Sequence, residues 1–221
     1  MVMSFKKIQI VFINKTFAFT LHISLYLSYI LLSAAMPGRL SVEHMDQLEE
    51  WISSGPKQFH LLYSITRDGC GPTPFHKMCD NRCPTVTVVY NPQGSVYGGY
   101  TSLAWESSGG YTRDDQAFLF QLVFSYEKLV RKFNCTKTGT SVCHHDEYGP
   151  MFGSGDDLCL FQYKNVNDVN GVYVLFNAGG CMTQSDSFVY DDVKAADINN
   201  GTMNVVEIEV YSVIGALLFD H

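Results

Sequence analysis

Several things that would mark an enzyme or a nucleic-acid binder are missing from this chain. Basic residues are few: 15 Lys and Arg stand against 22 Asp and Glu, a formal net charge of -7. Phosphate backbones need a basic face, so this balance argues against nucleic acid as a partner. Neither glycine pair, Gly98-Gly99 nor Gly109-Gly110, is followed by the Lys-Ser/Thr of a P-loop, because Tyr-Thr follows both. Rossmann spacing is absent as well. There is no CxxC pair. Cys79-x3-Cys83 and Cys143-His144-His145 offer sulfur and nitrogen, but adjacent ligands suit one tetrahedral zinc poorly. No nucleophile signature surrounds Cys70, Cys79 or Cys83, and nothing marks His144 or His145 as their base. Motif chemistry thus assigns no catalytic residue, no cofactor and no metal.

What is present describes a globular protein. The 221 residues are 46% hydrophobic and 14% aromatic, enough for one sizeable core rather than two. The beginning stands apart: Lys6, Lys7 and Lys15 precede a stretch, Thr16 to Met36, without Asp, Glu, Lys or Arg. About 20 apolar residues suffice to cross a bilayer, and Ser33-Ala34-Ala35 satisfies the small-residue rule for signal cleavage. Cleaved signal, retained anchor and an upstream extension before a working start at Met36 are the three readings. The seven cysteines are odd in number, so a full disulfide framework leaves one over; the expectation is reduced thiols. Asn134-Cys135-Thr136 and Asn200-Gly201-Thr202 are glycan acceptors if the chain is secreted.

Periodicity and turn residues place the elements. Ser41 to Ser54 has an N-cap serine and Val42, Met45, Leu48 and Ile52 near one face, which predicts a helix. Phe59–Ser64 predicts a strand, and the segment behind Pro72 and Pro74 a helical turn or two. Thr85–Tyr90 (TVTVVY) is rich in β-branched residues and predicts a strand. Asn91-Pro92-Gln93-Gly94 turns it into its partner, SVYGGY. Ala117–Phe124 predicts a buried strand, while Tyr126 to Pro150 is polar and irregular, a long surface connection. Asp157–Tyr163, Gly171–Phe176 and Val205–Val213 are further strands. In the last, Val206, Ile208, Val210 and Ser212 share one face; Glu207, Glu209 and Tyr211 share the other, which is as easily a solvated edge as a site. Asp156-Asp157 is expected to be a solvated turn. Many short strands with few short helices predict an α+β fold around a β-sandwich-like core.

Four stretches in order carry a family resemblance: LLYSITRDGCGPTPFHKMCDNRCPTVTVVY, GGYTSLAWESSGGYTRDDQAFLFQL, YGPMFGSGDDLCL and NNGTMNVVEIEVYSV. Together they resemble the TLDc domain of oxidation-resistance proteins. Motif positions are Asp68 and Gly69; Cys79, Asp80 and Asn81; Gly98, Gly99, Trp105, Gly109 and Gly110; Gly153, Gly155 and Asp157; Glu207 and Glu209. The chain departs from the family pattern at Cys70, Cys83 and Asp156. The resemblance implies two antiparallel sheets packed as a β-sandwich with short surrounding helices. It makes the glycine loop scaffold, with its four glycines permitting turns and Trp105 packing or lying at a contact surface. The implied domains are an apolar segment 1–35, a helical lead-in 36–57, a TLDc domain 58–213 and a tail 214–221.

Functionally the resemblance implies a non-enzymatic interaction module in oxidative-stress or stress/immune responses. Its implied partner is a protein, with vacuolar proton pump (V-ATPase) subunits as the family's precedent. No agreed active site goes with the family. A cytoplasmic location follows from the relatives, with membrane contact only if residues 16–36 are retained. Tyr126–Pro150 is the candidate variable surface. Two rival readings stay open: a thiol-dependent redox enzyme using Cys79, and a secreted or membrane-tethered recognition domain.

Overall fold

The computed structural model describes residues 38–136, 140–154, 157–162, 168–175 and 180–215. The apolar segment, Gly155, Asp156 and Tyr163 lie outside them. Among the described residues no helix is long and apolar enough to cross a membrane. Helix α1 (Val42–Ile52) begins where expected, with Ser41 Oγ accepting from His44 N–H at 3.2 Å. It ends at Ser53, where the chain takes a positive φ of 59°. Strand β1 (Lys57–Ser64), the single turn α2 (Ile65–Asp68), the two-turn helix α3 (Pro72–Cys79), and the hairpin β2 (Thr85–Tyr90) and β3 (Val96–Thr101) follow. Gly94 takes φ +77° in the hairpin turn, as the Asn-Pro-Gln-Gly stretch requires.

The rest is almost entirely short strands. They are β4 (Tyr111–Thr112), β5 (Phe118–Phe124), β6 (Glu127–Asn134), β7 (Val142–Cys143), β8 (Met151–Phe152), β9 (Leu158–Cys159), β10 (Asp168–Val169) and β11 (Val172–Val174). The turn α4 (Ala196–Asn199), β12 (Asn204–Val205) and the long β13 (Glu207–Gly215) complete the chain. One six-stranded antiparallel sheet, in the order β1-β13-β2-β3-β5-β6, is the backbone of the fold. A four-stranded sheet (β4-β7-β8-β9) and a three-stranded sheet (β10-β11-β12) form the facing layer. The fold is α+β, and the second layer of the sandwich is two small sheets rather than one.

Both faces of the large sheet are covered, which is why TVTVVY is buried at every position instead of alternating. Val89, Tyr97, Leu119, Ile208 and Val210 face the small sheets and join Phe152, Leu158 and Val205 in the main core. On the opposite side Trp51 of α1 meets Phe118 and Phe120, with ring centroids 6.0 and 6.4 Å apart.

Two expectations are corrected here, and one open reading is resolved. Tyr126 to Pro150 is not one irregular connection: it supplies β6, the edge of the large sheet, and β7, whose two residues are buried. Glu207 and Glu209 are not at a solvated edge, because β13 lies between β1 and β2. Gly98 and Gly99 do not turn the chain; they are extended residues inside β3. Their role is close approach. A Cβ on Gly98 would sit 1.9 Å from the Thr87 carbonyl oxygen, and one on Gly99 2.7 Å from the Phe152 ring. Gly109 and Gly110, by contrast, take φ of 75° and 117° in open space and do turn the chain.

Gly98→Ala therefore forces a collision with backbone, which is expected to cost about 3 kcal/mol. Gly109→Ala meets only the left-handed penalty, about 1 kcal/mol. Urea unfolding midpoints of the two variants should separate in that order.

Candidate functional site

The family-type motifs gather into three clusters. In the first, the Arg67-Asp68-Gly69 turn meets the start of β13. Glu207 is 2% exposed, and so is Glu209. Thr66 and Ser64 hydroxyls donate to Glu207, the latter at 3.2 Å, and the Ile208 amide donates at 3.1 Å. Arg39 N–H donates to Glu209 Oε1 at 2.8 Å, while Tyr211 Oη donates to Oε2 at 2.7 Å. Leu40 N–H donates to that same phenol at 3.2 Å. The strap Gly38–Leu40 thus closes over Glu209 and its phenol partner, one backbone amide to each. Gly38 is required there, because a Cβ would fall 1.9 Å from Tyr211 Oη. Burial pushes the Glu209 carboxyl above its ordinary value, against the bonds from Tyr211 and Arg39. Asp68 caps the neighbouring turn, accepting from Ser64 N–H at 2.9 Å.

In the second cluster, Cys79-Asp80-Asn81 clasps the glycine loop. Asn81 N–H donates to the Trp105 carbonyl at 2.9 Å, and Ser107 Oγ donates to Asp80 Oδ2 at 2.7 Å. Trp105 is fully buried against Phe75, Phe152 and His144, its indole N–H donating to Thr85 Oγ1 at 2.9 Å. It packs; it is not a contact surface. Residues 106–113 emerge beyond it and are exposed throughout, with Tyr111 50% exposed. The His145–Tyr148 turn lies beside them. His144 N–H donates to the Gly110 carbonyl at 2.8 Å, and His76 Nε2 reaches the carbonyls of His145 and Tyr148 at 3.0 and 2.8 Å. His76 Nδ1 sits 2.7 Å from Asp80 Oδ1. One helix residue thereby ties Asp80 to the second loop.

The third cluster surrounds Asp157, which is buried rather than in a solvated turn. Tyr190 Oη donates to it at 2.7 Å, Ser185 N–H at 3.1 Å, and the Ser185 hydroxyl also donates. Burial raises its carboxyl pKa. Gly153, at φ +81°, leaves the room: a Cβ there would overlap Asp157 Oδ2. Gly155 lies outside the described residues.

None of the three has the geometry of a nucleophile and base. Cys79 is buried, and burial pushes its thiol far above the usual range, which suppresses the thiolate that reactivity needs. His144 is buried too, and desolvation lowers its basicity. Among the described residues no three His, Cys, Asp or Glu converge as metal ligands. What the second cluster does provide is an exposed loop pair on a rigid base. Asp114 was not singled out from sequence, yet it fixes both ends of the glycine loop. It accepts from Thr101 Oγ1 (2.7 Å), Ser102 N–H (2.6 Å) and Gln116 N–H (3.0 Å). His76 was missed as well, although its place four residues before Asp80 was a legible signal.

Two outcomes follow. Glu209 has a raised folded pKa, so its contribution favours the fold below the ordinary value of 4.5 and is lost as pH rises through the folded value. Relative to Glu209→Gln, the wild-type protein should lose unfolding free energy as pH climbs above 4.5, measured by urea titration across a pH series. In the native state a thiol alkylating agent should label exposed Cys83 well before Cys79, which should react only after denaturation.

Comparison with known proteins bears on this arrangement. A stretch of 78 residues is 35% identical to "MTOR-associated protein MEAK7" of Danio rerio, covering 35% of this chain and 16% of that protein. The match thus spans about a sixth of that relative's length. The TLDc domain model matches residues 39–214, which takes in helix α1, strands β1 to β12, all of β13 but its last residue, and the motif residues described in the three clusters. The chain belongs to the TLDc domain family.

Proposed function

We propose that this protein is a non-enzymatic TLDc interaction module serving oxidative-stress or stress/immune responses, and that it binds a protein partner through one end of its sandwich. The binding surface is the exposed glycine loop, Glu106 to Arg113, together with the His145–Tyr148 turn. The observation that carries this is the contrast within one loop. Trp105 is locked in the core while Tyr111, six residues on, presents half its surface to solvent. Loops fixed on a rigid scaffold are where binding residues concentrate, and tyrosine is a frequent anchor of binding energy. Among the described residues of Tyr126–Pro150, β6 and β7 are built into the two sheets, and the turn at 145–148 is the part assigned to the surface.

Vacuolar proton pump subunits are the partner class that the family resemblance favours. The similar protein from Danio rerio is mTOR-associated by name, which is consistent with protein-partner work for the module. Cytoplasmic action belongs to the same reading.

Tyr111→Ala should weaken binding to purified pump subunits about tenfold or more, roughly the loss of a single anchor, with an unchanged unfolding midpoint. The readout is biolayer or calorimetric titration of the full chain. Wild-type affinity in the variant would remove this loop from the interface. No binding by the wild-type chain would remove the pump as partner.

A further inference from the structure

The register of the small sheet lines up four sulfur residues. Val142 lies opposite Phe152, which places Cys143 opposite Met151. Met151 lies opposite Cys159, and Cys159 opposite Cys181. Directly paired residues in an antiparallel ladder project to the same face, so the row Cys143–Met151–Cys159–Cys181 shares one side. These side chains pack together as a cluster apart from the main core. None of the seven cysteines is in a disulfide.

The last two members of the row are in bonding register. Cys159 N–H donates to the Cys181 carbonyl at 2.9 Å, and Cys181 N–H donates back at 2.8 Å. Such a doubly hydrogen-bonded pair holds its Cα atoms about 5.5 Å apart, within the roughly 4.4–6.8 Å that a disulfide spans. The other thiols do not compete. Cys143 is two strands from Cys159, roughly 9–10 Å away, with Met151 between them. Cys70 and Cys79 lie in the main core, and Cys135 contacts Ser141 Oγ at 2.9 Å. Accessibility differs across the pair, since Cys159 is buried and Cys181 half-buried.

We propose that Cys159 and Cys181 form a reversible disulfide site, oxidised by a hydroperoxide, which goes beyond the interaction role above and does not depend on it. The Cys181 sulfur attacks the peroxide, the O–O bond breaks, and a sulfenic acid and one water (or alcohol) result. The Cys159 sulfur then displaces the sulfenic hydroxyl, which leaves as a second water, and the S–S bond closes. Two electrons pass from the thiol pair to the peroxide, and both thiol protons end in the leaving molecules. The bond draws Cβ atoms inward, because opposed residues sit about 4.5–5.5 Å apart at Cβ against about 3.8 Å in a disulfide. That strain favours easy reduction, the behaviour of labile rather than structural disulfides.

The position gives the bond a consequence. Cys159 is two residues from Asp157, and Cys181 leads into Ser185 and Tyr190, which hold that carboxyl. Oxidation would staple the base of the same segment whose far part docks on Asp157.

The test is peptide mapping of the full chain, reduced, exposed to hydrogen peroxide, alkylated and digested without reductant. A peptide linking 159 to 181, dominant over other linkages and abolished by dithiothreitol, is expected. In Cys181→Ser the linked peptide should vanish and Cys159 should be recovered as an alkylated thiol. In Cys159→Ser, Cys181 should accumulate as a sulfenic acid trapped by dimedone. Circular dichroism in reductant checks both variants. Should Cys159→Ser fail to fold, the wild-type map and Cys181→Ser, altered at a half-buried position, still decide. Linkage of either cysteine to a different one would overturn the proposal. So would oxidation of Cys181 that leaves Cys159 a thiol, or oxidation confined to Cys83.

Discussion

A sheet buried on both faces tolerates no unsatisfied charge, and that constraint organises this protein. Strand β13 runs through the large sheet carrying Glu207 and Glu209, each nearly removed from water. Isolated carboxylates in such a place are costly, so each needs donors. The fold supplies them from three separate stretches: Ser64 and Thr66 where β1 passes into α2, Arg39 in the lead-in, and Tyr211 on β13 itself. The lead-in is therefore part of the domain's electrostatics. Without it, Glu209 loses the backbone amide that faces it.

The same logic recurs at the other two clusters. Asp114 and Asp157 are buried carboxylates that accept several bonds each and in doing so pin loops to the sheets. Motif residues that look like catalytic acids are thus spent on holding chain segments together. Asn200 shows the pattern for an amide. Its Oδ1 accepts from Asn91 and Ser95 while its Nδ2 donates to Ser125, so the second glycan acceptor serves as a tie between turns in this structure. Loops held this firmly at their roots leave short exposed tips, and the glycine loop beyond Trp105 is the clearest of them.

Much of this was legible beforehand. Helix α1 was announced by Ser41 and its apolar spacing, the β2–β3 hairpin by β-branched residues and Asn-Pro-Gln-Gly. The alternation in β13 was also correct: Ile208 and Val210 do share one face, Glu207, Glu209 and Tyr211 the other. What the alternation left open was whether the charged face meets solvent. Periodicity reports which residues point together, and it is silent on what lies above them. Gly98 and Gly99 were read as turns because glycine permits both positive φ and close approach, and only the neighbouring strand tells these apart. Strand β6 was missed because Glu127, Lys128, Arg131 and Lys132 gave it the polarity of a loop, which is also how an edge strand is kept from pairing with other chains.

Local chemistry, then, determined helix α1, the β2–β3 hairpin and its turn, and the family, since caps, branching at Cβ and glycine placement act within a few residues of themselves. Burial of Glu207, Glu209 and Asp157, the clasp of Asp80 on the glycine loop, and the alignment of Cys159 with Cys181 were decided by tertiary structure alone. Each depends on partners far away in the chain, and the side-chain and backbone contacts that join them exist only once the sheets have paired in their final register.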